Sequence, residues 1–351
     1  MRLVVLFGGR SAEHEVSCVS AASVLGAADP ERYDVLPVGI TADGRWVSAA
    51  ALVERSGATP ELAAVGTQVD PLPVLAPSPE ATTVVLPLLH GPFGEDGTVQ
   101  GLLEQAGVAY VGTGVLGSAL CMDKAMAKEV LAHHGLPQAR HLVLNAFDED
   151  SRGGLVRRVD IELGWPVFVK PANLGSSVGI SRVADGADLP AAVELAASYD
   201  DWLLVEEAIE GREIECGVLG NAELEASVPG EIVPSAEFYD FDDKYSDSGA
   251  ELVVPAALPG ETVTEVQRLA VAAATALRVE GMARVDFFLE EGGRGLLVNE
   301  VNTIPGFTPR SMYPRQWAAS GVPYSELVDR LVALALERHA RRAGRIGRPR
   351  T

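Results

Sequence analysis

Residues 3–7 form a continuous apolar run that stops at Gly8-Gly9 and gives way at once to a helical pattern over 15–25. A short apolar run closed by glycine marks a strand buried on both faces, and such strands need helices to cover them. The alternation recurs at strands 35–40 and 84–89, then at a helix over 99–105 closed by Gly107, and ends at strand 108–111. Parallel strands require crossovers of this kind, so the first 112 residues predict a parallel α/β domain. Residues 41–80 are Ala- and Pro-rich with weak periodicity, and are expected to be a variable excursion without chemistry.

Beyond Gly112 the pattern changes. A helix over 123–134, with Met122, Met126, Val130 and Leu131 on one face, stops at Gly135 with Pro137 beyond it. Strand 167–170, a Gly-Ser loop and strand 180–183 follow, and a third unit opens at 203–207 and runs to a helix near residue 336. The expected division is 1–112, 113–205, 206–338 with a lid over 234–256, and a basic tail 339–351. The six arginines from Arg338 onward predict a frayed end.

Composition excludes several function classes. The 351 residues carry 28 Lys+Arg against 49 Asp+Glu, a net charge of −21. A nucleic-acid backbone partner needs the opposite balance. No run of apolar residues is long enough to span a bilayer, and no signal-peptide pattern follows Met1-Arg2, so a cytoplasmic protein with no membrane partner is expected. Cys18, Cys121 and Cys216 are odd in number and widely spaced, which indicates neither a disulfide framework nor a zinc site.

The segment 282–306 carries the strongest chemistry. Strands 282–289 and 296–302 flank a Glu-Glu-Gly-Gly-Arg-Gly turn. If that turn centres on Gly293, Asp286 faces Glu300 and Arg284 faces Asn302. Directly opposed carboxylates repel, and a divalent cation between them reverses the sign. An oxygen-only set from two carboxylates and an amide suits Mg²⁺, with nucleotide phosphates completing its shell. Lys170 ends a strand, and the Asn173–Gly179 loop behind it offers backbone N–H groups together with the Ser176 and Ser177 hydroxyls, a pattern suited to phosphate. Glu206 and Glu207 end one strand and Glu213 and Glu215 alternate along the next, so carboxylates could meet ribose hydroxyls there. The polar, aromatic stretch 235–251 around Lys244 fits a lid that excludes water. Gly8–Ser17 and His90–Gly97 each follow a strand at its carboxyl end, where α/β sites form. Gly112-Thr-Gly-Val-Leu-Gly117 matches G-x-G-x-x-G, but the next strand ends in Asn145 rather than an acid, so an interdomain turn is favoured over a dinucleotide site.

Only four of the 28 cations are lysines, namely Lys124, Lys128, Lys170 and Lys244. Where arginine serves for generic charge, a retained lysine suits a task needing a compact ammonium.

Taken in order, the motifs GGRSAEHEVS, LHGPFGEDGTVQG, MDKAMAK, VKPANLGSSVG, FYDFDDKYSD, ARVDFFL and NEVNTIPGFTPRSMYP resemble those of the D-alanine–D-alanine ligases of the ATP-grasp superfamily, over roughly residues 3–336. The resemblance implies an α/β (α+β) protein of three domains: an amino-terminal parallel α/β domain and two more that sandwich ATP. It implies ATP-dependent ligation of two D-alanines through a D-alanyl phosphate for peptidoglycan precursor synthesis. Lys124, Lys170, Ser176, Ser177 and Lys244 would meet phosphates, Glu207 and Ile209 would lie along the adenine, Glu206 would bind the nucleotide beside them, and Glu213 would hold the ribose. Asp286, Glu300 and Asn302 would hold two Mg²⁺, for which Mn²⁺ could substitute. Glu13, with His90 nearby, would take the first D-alanine's ammonium, and Ser176 and Tyr245 would link to Glu13. Ser311 and the Met312 N–H would take the second D-alanine's carboxylate, and Arg284 with the Gly306 N–H would stabilise the tetrahedral oxyanion. The implied assembly is a homodimer. Ile304 stands where the family usually has a small residue, and Met312 replaces a common Leu; both are expected to be packing changes. Open alternatives are a D-alanine–D-lactate ligase, against which Tyr245 speaks, and a nucleotide-binding regulator without ligase chemistry.

Overall fold

The computed structural model describes residues 1–50, 62–77, 80–148, 153–175, 178–234 and 250–344. The first unit contains β1 (Arg2–Gly8), α1 (His14–Ala27), β2 (Asp34–Ile40), β3 (Trp46–Ser48), β4 (Thr67–Gln68), α2 (Pro71–Leu75), β5 (Thr83–Pro87), α3 (Thr98–Ala106) and β6 (Ala109–Tyr110). Its sheet has the order β4-β3-β2-β1-β5-β6. The β2-β1-β5-β6 pairs are parallel, as the buried runs predict, while β3 and β4 pair antiparallel. The 41–80 excursion thus contributes two edge strands and a short helix to the first sheet.

Next come α4 (Val115–Met122), α5 (Lys124–His133), β7 (His141–Asn145), α6 (Leu155–Glu162), β8 (Val167–Pro171), β9 (Ser181–Val183), α7 (Leu189–Ala197) and β10 (Trp202–Glu207). Strands β7-β10-β8-β9 form an antiparallel sheet whose apolar face is covered by α6 and α7, through Leu155, Val159, Val193 and Ala196. The third sheet holds β11 (Arg212–Gly220), β12 (Leu224–Ala226), β13 (Gly230–Val233), β14 (Glu251–Val253), β15 (Gly281–Glu290) and β16 (Gly295–Asn302), with α8 (Gly260–Ala276) packed on it. Helices α9 (Met312–Ala319) and α10 (Tyr324–Ala343) complete the described chain.

Two stretches pack beyond their neighbours in sequence. Cys121, Ala127 and Leu131 of α4 and α5 lie in one core with Ile214, Val218 and Phe287 of the third sheet. Ala125 on the other face of α5 packs against the four-stranded sheet, with Ala172 and Leu204. Helix α10 returns to the first sheet, where Leu327, Leu331 and Ala335 pack with Leu3 and Val5. The frayed end expected from Arg338 is corrected here, because α10 continues to Ala343. Arg338 is 3% exposed, donates to the Gly112 and Tyr110 carbonyls and stacks 3.9 Å from the Tyr110 ring centroid. An arginine that covers an aromatic face and satisfies two carbonyls is part of the packing, not a solvated charge.

The β15–β16 hairpin keeps the expected pairs, Asp286 with Glu300 and Arg284 with Asn302, by a different route. Glu290 pairs with Gly295, so the turn centres between Gly292 and Gly293 and the pairs beside it run one residue out of the expected register. A bulge at Asn299, between Phe287–Val298 and Asp286–Glu300, restores it. Bulges of this kind re-aim side chains beside active sites.

Leu331 is 1% exposed between α10 and the first sheet. Leu331→Ala is expected to lower unfolding free energy by about 2–5 kcal/mol, measured by urea denaturation; an unchanged midpoint would contradict the docking of α10.

Candidate active site

Three strands bring three carboxylates into one row. Glu215 on β11 pairs with Asp286 on β15, which pairs with Glu300 on β16, so all three share a face. That face lines a cavity of about 390 Å³ between the second and third sheets, closed at one end by the loops after β1 and β5. Alternation had set Glu213 and Glu215 on one face of β11, but the Glu215–Asp286 register depends on long-range pairing invisible in the sequence.

Cations offset the row. Arg284 donates to both Asp286 oxygens at 2.7 Å and lies 3.1 Å from Glu215 Oε2. Burial works to lower the Arg284 pKa, yet Asp286 and Glu215 hold it well above the ordinary arginine value. Asn302 Nδ2 donates to Asp286 at 2.8 Å. Lys124 Nζ lies 3.6 Å from Glu300 and donates to the Leu174 carbonyl at 2.6 Å. The Asp123 carboxylate caps α5 by accepting from the Met126 N–H, which starts the helix at Lys124.

Across the cavity Glu206 is shared by two lysines, Lys128 at 2.6 Å and Lys170. Glu206 is 6% exposed. Burial raises its pKa, but Lys128 and Lys170 outweigh that and hold the carboxyl far below the usual glutamate range. Glu207 is turned to Arg140, which donates from Nε at 2.7 Å, and to Arg294 Nη1 at 2.5 Å. Its carboxylate therefore ties the start of β7 to the β15–β16 turn, and burial of the group is outweighed by those arginines, which lower its pKa.

The loops of the first unit form the other wall. Ser11 Oγ donates to the His90 carbonyl at 2.7 Å and accepts from the Glu13 N–H at 3.2 Å, so one hydroxyl sets the spacing of both loops. Glu13 Oε2 would lie 2.9 Å from a Cβ on Gly91 and 3.3 Å from one on Gly175, an approach that side chains there would obstruct. Gly91 also has φ +72°, which glycine adopts without strain. His90 Nδ1 lies 3.0 Å from the Ile304 carbonyl and 3.6 Å from Glu95 Oε1. Burial tends to lower the His90 pKa, but the Glu95 carboxylate leaves it raised; burial pushes the Glu95 carboxyl up against the pull of His90. Ile304 itself is 3% exposed in the core, in keeping with a packing change.

Ser311 stands at the N-cap position of α9 but turns its Oγ to Thr308 Oγ1 at 2.9 Å rather than to the helix. The helix is held by Tyr313 OH donating to the Val218 carbonyl at 3.0 Å and by Gln316 Nε2 donating to the Glu215 carbonyl at 2.7 Å. Gly217 and Gly230 leave room for it, since a Cβ on Gly230 would sit 2.3 Å from Met312 Sδ. The free N–H groups of a helix start suit a carboxylate.

Of the residues singled out in the sequence, Glu13, His90, Lys124, Lys170, Glu206, Glu207, Ile209, Glu213, Arg284, Asp286, Glu300, Asn302, Gly306, Ser311 and Met312 all line this one cavity. Ser176, Ser177, Lys244 and Tyr245 lie outside the described residues. Ser11, Glu95, Lys128, Arg140 and Arg294 were not assigned. Lys128 had a signal, being one of four lysines and one turn beyond Lys124; Arg140 and Arg294 had none. Among the described residues no cluster of three or more His, Cys, Asp or Glu side chains is arranged to hold a metal alone. Asp286, Glu300 and Asn302 make a set of two carboxylates and an amide, which fits a hard divalent cation that takes its remaining ligands from phosphate oxygens.

Two antiparallel sheets facing across a lysine- and carboxylate-lined cavity, beside a parallel α/β domain, define an ATP-grasp enzyme. Residues 2–113 match the family model described as D-ala D-ala ligase N-terminus, and residues 130–333 match D-ala D-ala ligase C-terminus. The chain is 50% identical over 347 residues to a D-alanine–D-alanine ligase of Geobacillus kaustophilus, covering 95% of this chain and 94% of the relative. A D-alanine–D-alanine ligase structure from Coxiella burnetii superposes with a TM-score of 0.80 at 35% identity, covering 99% of this chain and 98% of that one. A D-Ala:D-Ser ligase from Enterococcus faecalis superposes at 0.79 and 33% identity, covering 95% and 99%. The chain belongs to the D-alanine–D-alanine ligase family.

Replacing Glu206 by Gln would leave two buried ammonium groups without a counter-charge. Glu206→Gln is expected to reduce stability by about 3–5 kcal/mol at neutral pH. Because the carboxyl's folded-state pKa is depressed, its contribution is complete above the ordinary glutamate range, about pH 4, and fades as pH falls below it. Urea midpoints for both proteins across that range test this; an equal midpoint at pH 7 would contradict the shared-carboxylate arrangement.

Proposed function

We propose that the protein joins two D-alanines at the expense of ATP, through a D-alanyl phosphate, to supply a dipeptide for peptidoglycan precursors in the cytoplasm. The observation that carries this is that Lys124 and Lys170 line one cavity together with Asp286, Glu300 and Asn302. Among the described residues no helix is long and apolar enough to cross a membrane, consistent with small dissolved substrates.

A carboxylate is a poor acyl donor. Its oxygen attacks the γ-phosphorus of ATP, ADP leaves, and an acyl phosphate results. Lys124 and Lys170 meet the phosphates as point charges, and phosphoryl transfer then depends on alignment and charge neutralisation. Asp286, Glu300 and Asn302 would hold two Mg²⁺, or Mn²⁺ in their place, which supply further neutralisation of the phosphate oxygens when bound. The apolar walls at Phe168, Ile180, Ile209 and Phe288 suit an adenine ring, with Glu206 and Glu207 at its edge and Glu213 towards the ribose.

Glu13 takes the first substrate's ammonium, and Ser11 holds it in register with the raised His90–Glu95 pair. Ser311 and the Met312 N–H take the carboxylate of the second D-alanine, leaving its amine aimed at the acyl carbonyl. That amine, having lost its proton, forms the C–N bond, and the carbonyl oxygen becomes an oxyanion. Arg284 and the Gly306 N–H stabilise this charge in a site shielded from water. Collapse expels inorganic phosphate and leaves the peptide bond.

Phosphate release from ATP should depend on D-alanine and not respond to L-alanine; release indifferent to D-alanine would overturn the assignment. Glu300→Gln should raise the Mg²⁺ concentration needed for half-maximal turnover by about tenfold or more, the scale set by losing one carboxylate from a hard-cation site. An unchanged Mg²⁺ dependence would contradict the metal assignment.

A further inference from the structure

Lys128 has no part in the chemistry above, and it does not line the cavity. Its side chain is 1% exposed, among the largest fully buried side chains of the described protein. Lysine is almost never buried without a partner, and here the partner is Glu206, 2.6 Å away. The second oxygen of Glu206 takes Lys170, which faces the cavity.

Charge around the cavity shows what this accomplishes. Arg284 meets two carboxylates, Asp286 and Glu215, and Lys124 is matched by Glu300. Glu207 and Glu290 together offset Arg140 and Arg294. Glu206 alone would cancel Lys170 in the same way. Burial lowers the Lys128 pKa against the pull of Glu206, and with the ammonium protonated in that ion pair the Lys128–Glu206–Lys170 group carries one net positive charge. The whole chain carries −21, a field that opposes a polyphosphate. A local surplus at the phosphate end therefore matters more here than in a neutral protein.

We propose that Lys128 is a positioning residue for the nucleotide phosphates: it takes up the charge of Glu206 from inside the protein, so that Lys170 stays fixed in direction yet uncompensated towards the triphosphate. This rests on reading the cavity as a nucleotide site. Lys128 touches no phosphate; it acts through Glu206.

Calorimetric titration of the full chain with ATP plus Mg²⁺, and separately with adenosine, distinguishes this from simple structural support. The measured quantity is the ratio of the two affinities, which cancels changes in the adenine pocket. Lys128→Met should lower that ratio by about tenfold, as expected for one charge removed near several phosphate charges. The double variant Lys128→Met with Glu206→Gln leaves Lys170 with its single charge, and should return the ratio to within about threefold of the parent. A purely structural lysine would weaken adenosine and ATP alike, or leave the double variant as impaired as the single one; either result overturns the proposal. If Lys128→Met alone does not fold, Glu206→Gln compared with the double variant decides, because removing Lys128 must still lower the ratio about tenfold. A parent protein that binds ATP no better than adenosine would instead sink the nucleotide reading itself.

Discussion

Glu215, Asp286 and Glu300 stand side by side on three neighbouring strands, in a cavity where like charges cannot be ignored. Such a row exists only because Arg284 and Lys124 answer it from within reach. Facing them, Glu206 is answered by Lys128 and Lys170. The two walls thus differ: one is rich in carboxylates met by Arg284 and Lys124, and the other sets two lysines on one carboxylate. The fold's task is to hold these walls at the right separation.

It does so by exchanging elements between units. Helix α5 sits between the second and third sheets, so Lys124 meets Glu300 on the third while Lys128 meets Glu206 on the second. Arg294, in a turn of the third sheet, reaches Glu207 at the end of β10. Helix α10 closes on the first sheet, and the His90 side chain meets the Ile304 carbonyl just after β16.

Much of this was legible in the chain before folding. The buried run at residues 3–7 announced the parallel sheet, and the two strands around Gly293 announced the Asp286–Glu300 pair. Local periodicity suffices for such features because strands alternate strictly. It could not anticipate the Asn299 bulge, which offsets a turn sitting half a residue early. Nor could it show that helix α5 would pack on the third sheet as well as on the sheet that follows it, since an apolar stripe does not name its partner. The tail was misread for a related reason: Arg338 looks like solvated charge until the Tyr110 ring and two carbonyls appear beneath it. Glu95 sat in plain view within HGPFGEDG, but its pairing with His90 becomes visible only once both are buried.

The central claim is that the β15–β16 carboxylates hold a metal beneath phosphates gripped by Lys124 and Lys170. Crystals grown with Mn²⁺ and a non-hydrolysable ATP analogue allow the ion to be located by its anomalous scattering. The account predicts a peak among Asp286, Glu300 and Asn302, with the γ-phosphate between it and Lys124 and Lys170. A nucleotide seated in the cavity with manganese bound elsewhere, or with Asp286 still turned to Arg284 and Asn302 and no ion beside it, would contradict it.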